Sequence, residues 1–155
     1  IVADLHLEKG SAFAAKGIML PPYDTRETLT RLAEAIDRFA AQTVIALGDS
    51  LHDEAGAARL TPEDRESLAI LQEDREWIWI TGNHDPKIAR ELGGHVLDAL
   101  TVEGLTFRHE PSNGRVTHEI AAHLHPAAKL SLHGYSFRRP CFVSNGLRLV
   151  MPAFG

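Results

Sequence analysis

Short apolar runs alternate with amphipathic segments over the first half of the chain, and few folds accommodate such an alternation. Three runs have the length and composition of buried strands: residues 1–3, 43–47 and 77–81. The segment between the first two has apolar side chains at helical spacing, and it begins with Asp24 and Glu27 in the pattern of a capping box. A second helix is predicted from Thr61-Pro62, which offers an N-cap and a proline in the first turn.

The second half of the chain is predicted to be mostly strand. Strand candidates lie at residues 105–109, 116–122, 129–132, 141–144 and 147–151. Asn145-Gly146 separates the last two and is typical of a hairpin turn. Alternating strands and helices followed by consecutive strands predict a layered α/β sandwich built on two sheets.

The size and composition of the chain indicate one globular domain. At 155 residues and 17.0 kDa, a single domain is expected to span residues 1–155. Hydrophobic residues make up 44% and charged residues 24%, which argues against a disordered or fibrous chain. The one cysteine, Cys141, cannot form an internal disulfide, and no apolar run has the length of a membrane span. We expect a reducing, cytoplasmic setting, and because the chain begins inside an apolar run, we expect both termini to be trimmed.

Polar side chains follow each of the three strands predicted in the first half. They are Asp4 and His6 after the first strand, Asp49 and His52 after the second, and Asn83, His84 and Asp85 after the third. Ligands of open α/β sheets bind beyond the carboxyl ends of the strands, so we expect these clusters to converge. Alternate residues of an ideal strand point to one face, so the His123-x-His125 and Asp4-x-His6 spacings each predict two side chains aimed at one spot.

Seven of the polar residues are of types that bind metal ions: Asp4, His6, Asp49, Asn83, His109, His123 and His125. Carboxylate, imidazole and amide ligands without thiolate suit Mn²⁺, Fe or Zn²⁺. Such a set exceeds what one tetrahedral ion can use, whereas two ions that share a bridging carboxylate would use all of it. Paired ions roughly 3.5–4 Å apart clamp the attacking and leaving oxygens of a phosphoryl displacement. The sequence therefore predicts a dinuclear centre for phosphoester hydrolysis.

The net charge bears on the substrate. Sixteen Lys and Arg against 21 Asp and Glu give −5, which argues against binding of nucleic acid by bulk positive charge. Two divalent ions would add +4 at the place where a phosphate must dock, so the acidity is a weak objection to a nucleic-acid substrate. Arg138-Arg139, with Tyr135 nearby, are candidates for lining a nucleic-acid path, and the alternative is a solvated surface.

The motifs occur in the order and approximate spacing of a known family. Asp4-x-His6, Gly48-Asp49-x-x-His52, Gly82-Asn83-His84-Asp85, the isolated His109 and His123-x-His125 resemble the calcineurin-like metallophosphoesterases. The segments VADLHLEKGSAF (2–13) and LPPYDTR (20–26) are more narrowly similar to the bacterial ligase-associated, or Lhr-helicase-associated, DNA damage response phosphoesterases called PdeM. The similarity runs over the whole chain.

The resemblance implies a fold, an activity and residue roles. The implied fold is an α/β/β/α sandwich of two mixed sheets flanked by helices. The implied first metal site is Asp4, His6 and His125, the second is Asn83, His109 and His123, and Asp49 bridges them. In the implied mechanism, His84 would contact the scissile phosphate and help to expel the leaving group, with His52 in a supporting role. The implied enzyme is a manganese-dependent endonuclease that cuts single-stranded DNA, with ligase or helicase partners in repair and no membrane.

One residue departs from the family pattern. The usual Gly-His-x-His motif has Ala122 in place of the glycine. If that backbone position requires a positive φ, alanine is strained there and the two histidines that follow are displaced. The remaining histidines, His95, His118 and His133, are expected to be surface residues or hydrogen-bonded core residues.

Two other functions fit the same residues. A phosphodiesterase or phosphatase for a small nucleotide or a lipid-linked phosphate would use the same centre, because one fold hosts many substrates. A scaffold that keeps the metals but has lost the chemistry would bind a repair partner instead. Nicking of a single-stranded DNA circle separates the first alternative from an endonuclease, and hydrolysis of bis(p-nitrophenyl) phosphate separates the second.

Overall fold

The computed structural model describes residues 1–83, 92–114 and 116–155. The helices are α1 (Lys9–Ala14), α2 (Asp24–Phe39), α3 (Gly56–Arg59) and α4 (Pro62–Gln72). The strands are β1 (Thr43–Leu47), β2 (Glu76–Ile80), β3 (His95–Leu97), β4 (Ala99–Val102), β5 (Leu105–Arg108), β6 (Glu119–Ala121), β7 (Ala127–Leu132), β8 (Tyr135–Pro140), β9 (Val143–Ser144) and β10 (Arg148–Val150).

The first sheet is parallel, in the order β1-β2-β3. The start of the chain extends it, because Val2 pairs in parallel with Ala46 of β1. Successive residues of β2 point to opposite faces. Trp77 and Trp79 pack against the helices, whereas Ile78 and Ile80 pack against the second sheet. Because both faces of β2 are buried, its sequence is a continuous apolar run.

The second sheet is mixed, in the order β4-β5-β6-β10-β9. Its inner face contributes Phe107 and Met151 to the core between the sheets, together with Ala122 at the end of β6. Asn145-Gly146 forms the predicted hairpin turn between β9 and β10, with Gly146 at φ 86°. A sandwich of two sheets with helices packed on it is the α/β fold that the sequence predicts, and β7 and β8 form a separate two-stranded hairpin.

Of the two helix N-caps predicted from the sequence, one is confirmed and one is wrong. Thr61 caps α4, because its hydroxyl accepts a hydrogen bond from the amide of Asp64 at 3.1 Å. The capping box at Asp24 is wrong: α2 has Tyr23 at its N-cap without a side-chain cap. The Asp24 carboxylate instead accepts a hydrogen bond from the amide of Gly10 in α1 at 2.9 Å. A tertiary contact between α1 and α2 thus takes the carboxylate that a local motif would have used.

An ion pair between the buried Glu119 of β6 and the half-buried Arg148 of β10 links two neighbouring strands of the second sheet. Glu119 is buried and accepts hydrogen bonds from the Ser112 hydroxyl and from Arg148 Nε, both at 2.5 Å. Burial alone would raise the pKa of Glu119, but the bonds from Ser112 and Arg148 outweigh it and hold the pKa below its ordinary value. The charged carboxylate is therefore a stabilising feature of the fold.

Glu119→Gln is expected to lower the free energy of unfolding by about 1.5–3 kcal/mol at pH 7, the range for hydrogen bonds to charged groups. Because the native pKa is depressed, the difference between the two proteins is full above about pH 4.5, the ordinary value for this carboxyl, and shrinks as the pH falls through the native pKa. Urea titrations across this pH range measure it. The exposed Glu103→Gln serves as the control, and a pH-independent difference at Glu119 would contradict the assignment.

Candidate metal centre

One group of potential ligands is formed by Asp4, His6 and His125, which come from opposite ends of the described chain. Their donor atoms all lie within 4.8 Å of one another. His6 Nε2 is 3.3 Å from His125 Nε2, and His125 Nε2 is 3.4 Å from Asp4 Oδ1. Asp4 is fully buried, whereas His125 is exposed. The group is thus closed at its base and open toward solvent.

A second group consists of Asp49, His109 and His123, again within 4.8 Å. His109 Nε2 lies 3.4 Å from Asp49 Oδ2 and 3.1 Å from His123 Nδ1. The other ring nitrogen of His109, Nδ1, is 2.9 Å from the carbonyl oxygen of Leu47 at the end of β1. If Nδ1 donates to this carbonyl, the Nε2 lone pair faces Asp49 and His123.

The two groups adjoin. The amide of His123 donates a hydrogen bond to Asp4 Oδ2 at 3.2 Å, and His109 Nδ1 is 3.8 Å from Asp4 Oδ1. Six of the seven predicted ligands are therefore together at one edge of the sheets, as the sequence predicts. The expectation that His123 and His125 aim at one spot is wrong, because they belong to different groups.

The reason is the backbone conformation. Five of the six clustered residues have φ between 42° and 67°: Asp4, His6, Asp49, His123 and His125. A left-handed conformation is costly for residues other than glycine and persists where surrounding contacts hold it. Neither Asp-x-His nor His-x-His is an extended strand, so the alternation rule for strands does not apply to them. Such strain in one cluster is typical of a functional site.

Gly48, just before Asp49, is required by close packing. It has φ 71°, and a Cβ at this position would lie 2.5 Å from the His109 ring. No side chain fits there without displacing His109, so the Gly-Asp motif reflects the approach of this turn to a ligand.

The pKa values of three groups in the cluster are shifted, those of Asp4 and His109 upward and that of His6 downward. Burial raises the pKa of Asp4, although His125 and His109 oppose the shift. Burial, and next His125, lower the pKa of His6 to about 4, so the imidazole is neutral at pH 7. Burial lowers the pKa of His109, but its bonds to Asp49 and to the Leu47 carbonyl together raise it above the ordinary value. The charge of Asp49 acts on both groups, since it also opposes the shift of His6.

Other predicted site residues lie around the cluster. His52 is half-buried, with its ring 5.8 Å from that of His6 and 5.5 Å from that of Phe13. Asn83 is exposed and lies three residues beyond β2, the strand beside β1. His84 and Asp85 lie outside the described residues. Sequence reasoning assigned no role to Phe13 or to the Leu47 carbonyl; every residue offers a carbonyl, so the latter leaves no signal in sequence.

The residues fit a pair of divalent ions. Asp4 Oδ1 is buried and makes no hydrogen bond to the described residues, as expected of an atom that needs a cation. Each group has one close pair of imidazole nitrogens, 3.1 Å apart in one group and 3.3 Å apart in the other, near a carboxylate oxygen. Nitrogen and oxygen donors without thiolate suit Mn²⁺, Fe and Zn²⁺ alike. The cluster is therefore a candidate dinuclear metal site.

Ala122 does not carry the strain that its place in the motif suggested. Its φ is not positive, its side chain is fully buried between the sheets, and its amide donates to the His109 carbonyl at 2.8 Å. The left-handed conformations fall on His123 and His125 instead. Alanine is therefore not strained at this position, and it gives no reason for the two histidines to be displaced.

Ala122→Gly is accordingly expected to destabilise the protein by about 1–2 kcal/mol. The substitution removes a buried methyl group, worth about 0.8 kcal/mol, and makes the unfolded chain more flexible, worth about 0.4–1 kcal/mol. The urea midpoint measures the loss, while the activity of the folded protein should stay the same. A variant that is more stable and more active would show that the backbone does favour glycine here.

The remaining sequence candidates lie on the surface. His95, His118 and His133 are exposed, as expected of residues outside the site. Arg138 and Arg139 are exposed on β8 of the hairpin that follows His125. In the described parts of the chain, no helix is long and apolar enough to cross a membrane.

Comparison with known proteins finds similarity among solved structures. No protein-family profile matches the chain, and no curated protein matches it. Among solved structures, the chain is similar to the Pseudomonas putida nuclease MPE, with a TM-score of 0.78 and 30% sequence identity. The match covers 99% of this chain and 73% of the nuclease. With that identity over most of both proteins, and with two Asp/His groups side by side at one sheet edge, the chain belongs to the same family as this nuclease.

Proposed function

We propose that this chain is a dinuclear-metal-dependent phosphodiesterase, and specifically a manganese-dependent endonuclease that cuts single-stranded DNA in repair. The observation that supports this most is the pairing of two Asp/His groups that adjoin through Asp4 and His123. The similarity to a nuclease favours a nucleic-acid substrate over a small phosphoester. The residues 2–13 and 20–26 favour the Lhr-helicase-associated PdeM group within the calcineurin-like enzymes, and hence ligase or helicase partners in the cytoplasm.

The proposed ligands follow the two groups, except that Asn83 joins the second group and Asp49 is shared. Asp4, His6 and His125 would hold one ion, and His109, His123 and the exposed Asn83 the other. Asp49 is the proposed bridge, because its charge acts on members of both groups. Two bound divalent ions would supply charge for the phosphodiester and lower the pKa of a coordinated water to about 7.

The chain's own residues would orient the substrate and move the proton. The Leu47 carbonyl fixes the ring of His109, and the Asp4 carboxylate fixes the backbone of His123, so both residues are positioned before substrate binds. His84 is proposed to donate a proton to the departing oxygen, with His52 beside it. Asn83, Arg138 and Arg139 are proposed to contact the phosphodiester backbone.

A circle-nicking assay tests the function. A closed single-stranded DNA circle incubated with Mn²⁺ should be converted to linear strands, because an endonuclease needs no free end. Hydrolysis of bis(p-nitrophenyl) phosphate is measured in parallel. Small-diester hydrolysis with intact circles would indicate a small-molecule enzyme, and manganese binding with neither activity would indicate a scaffold.

A further inference from the structure

The hairpin β7–β8 follows directly in the chain on His125, a residue of the metal centre. It begins at Ala127, two residues after His125, and the amide of Cys141 closes it with a hydrogen bond to the Pro126 carbonyl at 3.0 Å. All six residues of β8 and the outer four of β7 are exposed. A two-stranded hairpin with so little burial is marginal in water unless something packs on it.

The cross-strand register gives the hairpin two different faces. Residues directly opposite one another share a face, and Leu130 pairs with Phe137 while Leu132 pairs with Tyr135. The aromatic face is defined here as Leu130, Leu132, Tyr135, Phe137 and Arg139. Tyr135 is 70% exposed and Phe137 is 42% exposed, with their ring centroids 6.4 Å apart. The guanidinium of Arg139 lies over the Phe137 ring at 5.8 Å, so the Arg138-Arg139 pair is divided between the two faces.

The hairpin is basic, whereas the chain as a whole is acidic. Residues 127–140 contain Lys129, Arg138 and Arg139 and no Asp or Glu, in a protein with a net charge of −5. Lys129 and Arg138 are directly opposite on the second face. Like charges in this arrangement destabilise a sheet, so an anion beside them would relieve the repulsion.

We infer that the aromatic face binds bases of single-stranded DNA that flank the scissile phosphate, an inference that rests on the proposed function. Exposed aromatic rings stack with bases of any sequence, and an arginine over a ring adds a cation to the same platform. Because β7 starts two residues after His125, a DNA strand bound along the hairpin would run toward the proposed metals. A second copy of the chain suits the face less well, because it would bring two cationic hairpins together.

The test measures binding without cleavage. Fluorescence anisotropy with EDTA present gives the Kd of the whole protein for a fluorescein-labelled oligothymidylate and for the same backbone with abasic sites. Tyr135→Ala/Phe137→Ala should weaken binding of oligothymidylate about tenfold to a hundredfold, which is within the range for the loss of one stacked base. The abasic strand should bind the wild type and the double variant equally.

A matched control is available in α2. Phe39 is 75% exposed and has the Arg38 guanidinium at 5.7 Å, which reproduces the Phe137–Arg139 pair at another place. Phe39→Ala should leave oligothymidylate binding unchanged. Because the substituted hairpin rings are exposed, circular dichroism should show both variants folded.

The outcomes separate this inference from the proposed function. Equal binding by the wild type and the double variant, or equal binding of the abasic strand and oligothymidylate by the wild type, would overturn the stacking platform even if circles are nicked. A wild type that dimerises through this face, with a monomeric double variant in sedimentation, would overturn it in favour of a subunit interface. Base-dependent binding with no nicking would retain the platform and refute the endonuclease.

Discussion

Asp49→Ala is expected to lower kcat/KM for phosphodiester hydrolysis by about a thousandfold, which corresponds to about 4 kcal/mol of transition-state stabilisation. Asp49 is buried, lies 3.4 Å from His109 Nε2 and acts electrostatically on both ligand groups. Its removal would take a negative charge from the place where two cations must sit. We therefore expect fewer manganese ions per chain as well as slower hydrolysis.

Two variants sharpen the interpretation. Asp49→Asn keeps the volume of the side chain but removes its charge, so it should resemble Asp49→Ala if the charge is what holds the metals. Asp37→Ala removes an exposed carboxylate of α2 and should change neither activity nor metal content. Wild-type rates for Asp49→Ala, measured with bis(p-nitrophenyl) phosphate at saturating Mn²⁺, would refute the bridging role.

Asp4→Asn is expected to remove the thermal stabilisation that manganese gives to the wild type. A ligand at a hundred times its Kd stabilises by about 2.7 kcal/mol, which raises Tm by about 5–11 °C for a chain of this size. The variant should show no such shift, because the buried oxygen that faces His125 would no longer be a carboxylate.

Without metal, the same variant is expected to be at least as stable as the wild type. Burial raises the pKa of Asp4 above its ordinary value of 3.8. Ionising this carboxylate in the metal-free protein therefore lowers the free energy of unfolding as the pH rises above 3.8. Asparagine is neutral at all pH values, and its carbonyl can still accept the hydrogen bond from the His123 amide. Thermal melts at several pH values, with EDTA and with Mn²⁺, measure both effects. His95→Ala, an exposed histidine, should keep the full manganese shift, and a full shift in Asp4→Asn would exclude Asp4 as a ligand.

Local chemistry made several elements predictable. The apolar runs of β1 and β2, the helical spacing of α2, the Thr61-Pro62 start of α4 and the Asn145-Gly146 turn each depend on residues close in sequence. Sequence did not predict β3, β4, β8 or the short helices α1 and α3. Strand β8 was missed because its residues are all exposed, so hydrophobic burial leaves little pattern in it.

The amino-acid sequence by itself determined the alternation of buried strands and helices, and which residue types follow the strand ends, because burial and helix capping act over a few residues. Only the tertiary structure decided that the strain falls on the ligands rather than on Ala122, and that the Asp24 carboxylate binds the amide of Gly10 in α1. These outcomes depend on contacts between different segments, which are 14 residues apart for Asp24 and Gly10 and 119 residues apart for Asp4 and the His123 amide. The sequence gives no sign that Asp4 or His125 adopts a left-handed backbone, because neither is a glycine. The conformation is imposed by such contacts and not by local preference.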